Sequence, residues 1–241
     1  MSSCYVIGVC GASCSGKTTV CMKIEDKIEN TLENKQNIIC IISQDSYYKG
    51  GNNDTNYDVP NAIDFDLMVK HLEKLVKNET VDIPIYDFPT HSRKNEVKKI
   101  GPAKIIIVEG ILILTNEKIR NLCDLKVFVE AEDVVCYSRR LQRDVKERGR
   151  TFKEVEKRYI EHVVPSFRNY INPCRYYANI SLINNSTDGT FVGLGILLDH
   201  IEKKIHELDE KHPFVKAALS SDLLRISGSS IKIEKNLLKN R

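Results

Sequence analysis

A glycine-rich loop near the start of the chain carries the clearest chemical pattern in the sequence. Its residues match G-x-x-x-x-G-K-[ST] and are Gly11, Ala12, Ser13, Cys14, Ser15, Gly16, Lys17 and Thr18. In such a loop, successive backbone N–H groups point inward at phosphate oxygens, and the following helix adds its dipole. Lys17 supplies a mobile cation for the β- and γ-phosphates, and the Thr18 hydroxyl can ligate Mg²⁺. The loop therefore predicts a site for the phosphates of a nucleoside triphosphate.

Two acidic residues stand where predicted strands end. Asp45 comes shortly after the apolar run 38–42, and Glu109 closes the β-branched run 105–108. Asp45 is a candidate general base for the proton of an acceptor hydroxyl, since phosphoryl transfer needs such a group. A helix cap or turn is the alternative role for Asp45. Glu109 has the form of a metal-side acid of the Walker B type, with a solvent-facing strand end as its alternative.

A cluster of arginines occupies residues 138–150, which read SRRLQRDVKERGR. Arginine suits bidentate contact with phosphate, and Gly149 interrupts the predicted helix, as a closing lid requires. Charge runs on helices are, however, often solvated faces. Both interpretations stay open from the sequence alone.

The elements that must position these residues alternate between strand and helix. Apolar runs predict strands at 5–10, 38–42, 104–109, 125–129 and 180–183. Helical spacing follows at 17–33, after Asp64, and at 133–148, 151–164 and about 190–208. Such alternation predicts an α/β fold of the P-loop NTPase type, with a parallel five-stranded sheet and helices on both faces. Residues 81–88 and 96–100 predict a small β-hairpin insert, and the arginine cluster a helical lid. Ligands of such sheets bind beyond the carboxyl ends of the strands.

Length and composition limit the kind of protein. The chain has 241 residues, of which 41% are apolar, and a formal net charge of +3. That size allows one α/β core with a small insert, and the weak charge argues against nucleic acid or membrane partners. We expect a P-loop domain over residues 1–208, with the hairpin at about 81–100 and the lid at about 139–158, and a polar tail over 209–241. No signal peptide or membrane span is evident, and the eight cysteines form no Cys-x-x-Cys pair, so a reducing, cytoplasmic setting is expected.

Two classes of P-loop protein compete at this point. A GTPase-like switch usually carries Asn-Lys-x-Asp for guanine after a central strand. The nearest string, at residues 34–37, reads NKQN and lacks the aspartate. A small-molecule kinase needs an acceptor site and a base, for which Asp45 is available. The sequence therefore favours a kinase over a switch.

Several motifs together resemble one known family. They lie at residues 11–19, 43–48, 57–64, 83–88 leading to 91–93, and 109–112, and in the arginine cluster. Over residues 4–208 the chain resembles the uridine kinase family, also called uridine–cytidine kinases. The resemblance implies phosphorylation of uridine and cytidine at the 5′-hydroxyl by ATP with Mg²⁺, in pyrimidine salvage. It also implies a homotetramer.

The resemblance implies roles for individual residues. Asp45 would take the 5′-hydroxyl proton, and Lys17 would act at the transferred phosphate. Residues at the nucleoside would be Asp58, Tyr86, Phe88, His91, Arg140 and Arg150, the first and fifth of them at the ribose hydroxyls. Residues at ATP would be those of 11–19, including Thr19, together with Arg143, Arg148 and Asp188, the last of them near the adenine. Thr18 and Glu109 would lie at the metal.

The chain departs from the family pattern at two positions. Arg158 stands where the family often has glutamine, which puts one nucleoside contact in doubt. Asn61 replaces an aspartate in a turn. The alternative within kinases is an enzyme acting on another small alcohol, similar to phosphoribulokinase or pantothenate kinase. The segment with Tyr86 and His91 argues against that alternative.

Overall fold

The computed structural model describes residues 4–31, 38–186 and 190–210. Its strands are β1 (Tyr5–Gly11), β2 (Ile39–Ser43), β3 (Val81–Asp87), β4 (Ser92–Ile100), β5 (Ile105–Glu109), β6 (Leu125–Glu130) and β7 (Ile180–Ile183). Its α-helices are α1 (Lys17–Thr31), α2 (Phe65–Val76), α3 (Glu117–Leu122), α4 (Asp133–Lys146), α5 (Phe152–Arg158), α6 (Val164–Ser166) and α7 (Leu194–Glu210). Five strands form a parallel sheet in the order β2-β5-β1-β6-β7, which confirms the predicted α/β class.

Alternate residues of the central strands are buried on opposite faces of the sheet. In β5, Ile106 and Val108 belong to the core on one side, together with apolar residues of α2 and of the segment that follows β5. Ile105 and Ile107 are also fully buried, and α1 contacts β1, β2 and β5. Because successive side chains of a strand point to opposite faces, both faces of the sheet are covered. This explains the uninterrupted β-branched run.

The parallel register brings the chemically interesting strand ends to one edge. Ser43 pairs with Glu109 across β2 and β5, and Gly11 pairs with Val129 across β1 and β6. The segments that follow these strands therefore begin side by side. That edge is where open α/β sheets bind their ligands.

A two-stranded antiparallel hairpin of β3 and β4 stands apart from the main sheet. The predicted insert is confirmed, although β4 begins at Ser92 rather than at residue 96. Arg93 holds the hairpin to the segment after β2, because its guanidinium donates to the carbonyls of Tyr48 and Tyr47 at 2.9 and 3.0 Å. It also pairs with Asp64 at 3.2 Å, the residue whose side chain caps α2 by accepting from Leu67 N.

The helical segment after the arginine cluster is longer than predicted. It begins at α5 behind a capping box formed by Thr151 and Glu154, and it continues through π-helical turns and α6 into a 3₁₀ segment that ends at Tyr177. The predicted end at residue 164 is next to Pro165. The backbone on both sides of that proline stays right-handed helical. The proline therefore lies inside a continuous helical segment, where its missing N–H removes one backbone donor without ending the helix. The short helix α3 was not predicted.

The contacts of the chain separate it into two compact units, Met1–Asp199 and His200–Arg241. The first unit contains the sheet, the hairpin and the arginine cluster. The predicted tail lies from residue 211 onward outside the described residues, so the predicted domain boundary stays a prediction. No helix among the described residues has the length and apolar character needed to cross a membrane.

Candidate active site

A cavity of about 520 Å³ opens at the carboxyl edge of the sheet. The predicted site residues that line it are Ser13, Cys14, Gly16, Lys17, Thr18, Thr19, Asp45, Asp58, Tyr86, Phe88, His91, Glu109, Arg140, Arg143, Arg148 and Arg150. The structure therefore brings the phosphate loop, both strand-end acids, the hairpin and the arginine cluster around one space. Asp188 lies outside the described residues.

Three residues of the phosphate loop, Gly11, Ala12 and Ser15, do not line the cavity. They support the loop through contacts of their own. The Ala12 carbonyl accepts from Lys17 Nζ at 2.8 Å and from Ser15 N at 3.1 Å. Ser15 is fully buried. Gly11 has φ +148°, and a Cβ there would lie 2.2 Å from the Val129 carbonyl oxygen, so only glycine fits. These contacts fix the conformation of the loop at the edge of the cavity.

Asn184 and Phe191, which the sequence analysis missed, support the phosphate loop from beside the edge strand β7. Asn184, just after β7, is buried and donates its Nδ2 to the Ser15 carbonyl at 2.7 Å. A Cβ at Gly16 would lie 2.3 Å from that nitrogen and 3.0 Å from the Phe191 ring. Arg139 donates to the Asn184 carbonyl at 3.2 Å. The position of Asn184 at a strand's carboxyl end was the only available signal for it.

The two strand-end acids are joined through Ser43. Ser43 Oγ donates to Glu109 Oε1 at 2.6 Å and accepts from Asp45 N at 3.3 Å. Ser43 is therefore the cap of the 3₁₀ turn Gln44–Tyr47, which leaves the Asp45 carboxyl to face the cavity. Glu109 is only 8% exposed, so the alternative of a solvent-facing strand end is wrong.

Gln44 holds the chain that follows Glu109 in place. Its side chain is fully buried, and its Oε1 accepts from Leu112 N at 2.7 Å. A Cβ at Gly110 would lie 2.3 Å from Gln44 Cβ. Glycine is thus required after Glu109 because the turn of Asp45 packs directly against it.

Burial and neighbouring charges set the ionisation of these acids. Burial raises the pKa of the Asp45 carboxyl, against the opposing charges of Arg148, Lys17 and Arg143. Burial likewise raises the pKa of Glu109, with Lys17 opposing the rise and Asp45 adding to it. Both carboxyls hold a proton more readily than ordinary acids, as groups in a site for proton transfer or cation binding do.

The arginines of the cluster line the cavity instead of forming a solvated face of the helix. Arg140 is 6% exposed; its Nη1 donates to Ser13 Oγ at 3.1 Å and lies 3.9 Å from Asp58 Oδ1. The Arg148 guanidinium lies over the Phe88 ring at 4.5 Å. Four arginines, Arg140, Arg143, Arg148 and Arg150, pair with the buried Asp144, a residue that sequence analysis did not single out.

The wall opposite the phosphate loop is aromatic. Tyr48 contacts Tyr86 and Tyr57 with ring centroids 5.2 and 5.3 Å apart, and Tyr86 contacts Phe88 at 5.3 Å. Tyr57 and His91 are stacked at 5.4 Å. Burial, together with the charges of Arg158 and Arg150, lowers the pKa of His91, which favours the neutral imidazole. Such a wall suits a flat, uncharged ring.

Arg158 joins two parts of this wall that are far apart in sequence. It donates from α5 to the carbonyl of Asn53, and to that of Thr55 at 3.2 Å. His91 Nε2 is hydrogen bonded to Asn53 Oδ1 at 2.9 Å. The segment 52–58, which carries Asp58, is therefore held by the hairpin tip on one side and by α5 on the other.

Comparison with known proteins adds a separate observation. The sequence profile of the Phosphoribulokinase / Uridine kinase family matches residues 6–190. A uridine kinase of Haemophilus influenzae is 41% identical over 185 residues, which cover 74% of this chain and 86% of that protein. Uridine-cytidine kinase A of Dictyostelium discoideum is 43% identical over 207 residues, which cover 84% of this chain and 40% of that protein.

A solved structure shares the fold. D-glycerate 3-kinase of Cryptococcus neoformans superposes with a TM-score of 0.58 over 79% of this chain and 88% of that one. Its sequence identity is 20%, so this likeness concerns the arrangement of helices and strands alone.

Proposed function

The chain belongs to the phosphoribulokinase / uridine kinase family, and on this basis we propose that it phosphorylates uridine and cytidine with ATP at the 5′-hydroxyl. The observation that carries the proposal is one cavity with a phosphate loop at one end and an aromatic wall with Asp58 at the other. Asp45 also lines that cavity. The acceptor class is drawn from the relatives named uridine kinase and uridine-cytidine kinase, at 41 and 43% identity.

The reaction is an in-line transfer. The 5′-oxygen of the nucleoside bonds to the γ-phosphorus, and the bond from that phosphorus to the bridging oxygen of ADP breaks. Little covalent work is left to the protein, so positioning and charge dominate. Lys17, only 8% exposed, together with Arg143 and Arg148, supplies positive charge where the transferred oxygens become most negative.

Asp45 receives the proton that leaves the 5′-hydroxyl. Its backbone N–H is bonded to Ser43 Oγ, which holds the residue in a short turn at the edge of the sheet. Its carboxyl stays next to cations that help keep it ionised. A positioned general base of this kind contributes about 10²- to 10⁴-fold to rate.

The residues present fit a Mg²⁺ ion held jointly with the phosphates. The described residues contain no group of three or more His, Cys, Asp or Glu side chains that could hold a metal ion by themselves. Mg²⁺ at phosphoryl-transfer sites typically takes one or two protein ligands and completes its shell with phosphates and water. Thr18 and Glu109 would supply those ligands, with Ser43 orienting Glu109. When bound, the ion neutralises phosphate charge.

Recognition of the nucleoside follows from the opposite end of the cavity. Asp58 is 8% exposed, and Arg140 lies beside it, so the pair offers an acceptor and donors to the ribose hydroxyls. Phe88, Tyr86 and His91 provide a flat wall and polar groups for the pyrimidine. Arg150 is available at the same end.

Three further features belong to the proposal. They are the contact of Asp188 with the adenine end of ATP, assembly into a homotetramer, and a cytoplasmic location. Sedimentation of the purified protein measures the second, and fractionation of cells measures the third.

The test is a coupled assay of ADP release with ATP, Mg²⁺ and a panel of nucleosides. We expect turnover with uridine and cytidine, and little with purine nucleosides. Lys17→Ala should lower turnover by on the order of a hundredfold or more, because it removes charge stabilisation of the transition state. Lys23→Ala, a half-buried lysine of α1 that does not line the cavity, is the matched control. Turnover that needs no nucleoside, or near-normal turnover by Lys17→Ala, would contradict the proposal.

A further inference from the structure

Asp144 lies at the centre of the arginine cluster, in the last turn of α4. Its side chain is 0% exposed, although it is surrounded by charged groups. Burial alone would raise the pKa of Asp144, but the guanidiniums of Arg143, Arg140 and Arg148 outweigh that effect and hold the pKa below its usual value. The carboxylate is therefore ionised at neutral pH.

The two carboxylate oxygens of Asp144 hold two different pairs of arginines. Oδ1 accepts from Arg143 at 2.9 Å and pairs with Arg148 at 3.4 Å. Oδ2 pairs with Arg150 at 3.1 Å and with Arg140 at 3.5 Å. In the proposed function the first pair faces the phosphates and the second pair faces the nucleoside. One rigid carboxylate thus connects the two substrate subsites.

The guanidiniums of Arg140 and Arg148 also each contact a residue of the other subsite. Arg140 Nη1 donates to Ser13 of the phosphate loop at 3.1 Å and lies 3.9 Å from Asp58. Arg148 lies over the ring of Phe88 at 4.5 Å. Direct contacts of these guanidiniums therefore connect the two subsites.

The negative charge of Asp144 keeps the four arginines ordered. Four guanidiniums close together repel one another, and in a partly buried site that repulsion is weakly screened. The shared carboxylate offsets the repulsion and fixes the direction of each planar fork. An arginine drawn toward a phosphate relaxes its bond to Oδ1, and the remaining arginines rearrange around the same carboxylate.

We propose that Asp144 is a positioning residue that couples the binding of the two substrates, so that a nucleoside triphosphate raises the affinity for the nucleoside. The coupling rests on the proposed function of the site. Because coupling between two binding equilibria is reciprocal, the nucleoside must raise the affinity for the triphosphate by the same factor. Couplings of this kind are typically about 5- to 150-fold.

The test is a binding cycle measured by calorimetry. Dissociation constants for uridine are measured with and without Mg²⁺ and the non-hydrolysable analogue AMP-PNP, and those for AMP-PNP with and without uridine. In the wild type we expect each ligand to tighten the other at least about fivefold. In Asp144→Asn, which keeps the shape but loses the charge, we expect that factor to approach one while each ligand still binds alone.

Two further variants make the result decisive. Asp133→Asn makes the same change at an exposed position in the first turn of α4 and should keep the wild-type coupling. Arg150→Lys keeps the positive charge but loses the fork that reaches Oδ2, and it should lower the coupling even if Asp144→Asn does not fold. The proposal is overturned if Asp144→Asn and Arg150→Lys both keep the wild-type coupling. It is also overturned if Asp144→Asn is unfolded and Arg150→Lys keeps the wild-type coupling.

Uridine turnover by the same wild-type preparation separates the two proposals. If the wild type phosphorylates uridine but neither ligand changes the affinity for the other, the coupling is overturned and the proposed function stands. Absence of both uridine turnover and uridine binding overturns the proposed function, and the coupling falls with it.

Discussion

The Asp45 carboxyl is buried near three positive charges, those of Arg148, Lys17 and Arg143, and one negative charge, that of Asp58. Burial raises its pKa and the cations oppose that rise, so the balance decides at which pH the residue can accept a proton. The same balance acts on Glu109, where Lys17 is the opposing charge. At the scale of single residues, burial and a small number of neighbouring charges thus set the pKa of each acid.

The ionisation of Asp45 predicts a pH profile for the reaction. A general base works only when deprotonated, so kcat/KM should fall as the pH drops through the Asp45 pKa. Because that pKa is raised, the fall should begin at a higher pH than for an ordinary aspartate, whose pKa is about 3.9. Arg148→Gln removes a cation that lowers the pKa, so it should move the acid limb to still higher pH.

The measurement is kcat/KM for uridine across the acid range, with two comparison variants. Asp45→Asn should lack the acid limb and lose about 10²- to 10⁴-fold in rate, while uridine still binds. Arg175→Gln removes an arginine that pairs with Glu130 at 2.8 Å and should leave the limb where it is. An unshifted limb in Arg148→Gln, or loss of uridine binding in Asp45→Asn, would contradict the role of Asp45.

Asp58 predicts a preference for ribose over 2′-deoxyribose. A buried carboxylate that accepts from two sugar hydroxyls loses one partner with a deoxynucleoside, at a cost of about 1.5 to 3 kcal/mol. That corresponds to roughly ten- to a hundredfold in kcat/KM. Asp58→Ala should harm uridine turnover more than deoxyuridine turnover and narrow the ratio. Asp54→Ala, an exposed acid in the same segment, is the control, and an unchanged ratio in Asp58→Ala would show that Asp58 does not read the ribose.

At the scale of elements, the proposed nucleoside end of the cavity depends on contacts between segments with little regular structure of their own. Segment 52–58 is tied to the hairpin tip through His91 and Asn53 and to α5 through Arg158. The hairpin is itself anchored by Arg93 to the turn that carries Asp45. The aromatic wall, Asp58 and Asp45 therefore belong to one connected set of segments.

Arg158→Gln should loosen the nucleoside end without affecting the ATP end. Hydrogen bonds of this kind contribute about 0.5 to 1.5 kcal/mol net, so KM for uridine should rise roughly two- to tenfold while KM for ATP stays near the wild-type value. Amide exchange of residues 52–58 should also rise in the variant without substrate, which distinguishes a clasp from a direct contact with the base. Lys157→Gln, which alters an exposed pair with Glu161, is the control. An equal rise in both KM values would contradict this role.

At the scale of the whole molecule, the sheet edge is a rigid floor and the arginine cluster is its cover. Gly149 interrupts the helical chain between α4 and α5 with φ +64°, a left-handed conformation that strains other residues. The cluster contacts the rest of the cavity through a hydrogen bond to Ser13, an ion pair with Asp58 and the contact of Arg148 with the Phe88 ring. Because polar contacts can exchange partners with a phosphate, we expect the cluster to move when substrates bind while the sheet edge stays in place.

Closure predicts a change in hydrogen exchange. Amides of residues 139–158 should become more protected when uridine and AMP-PNP are both bound, because closure excludes water from the site. Peptides from β5, which is buried along its whole length, should not change. Equal exchange of 139–158 with and without both ligands would show that the cluster does not move as a lid.

The sequence by itself determined the features whose chemistry is local. The phosphate loop depends on glycines at set spacings and on the strand and helix that flank it, all within about two dozen consecutive residues. Asp45 and Glu109 were found because a parallel sheet collects the carboxyl ends of its strands. The arginines were found by their density, although their density could not say whether they face solvent.

The tertiary structure alone decided which distant groups support these. Asn184 bonds to Ser15 across 169 residues, and Arg158 bonds to Asn53 across 105. Asp144 was hidden among the charges of its own helix, and only its distances to four guanidiniums show that these arginines share it. A sequence records spacing along the chain, whereas burial and charge pairing depend on distances in space, which exist only once the sheet has brought its strand ends together.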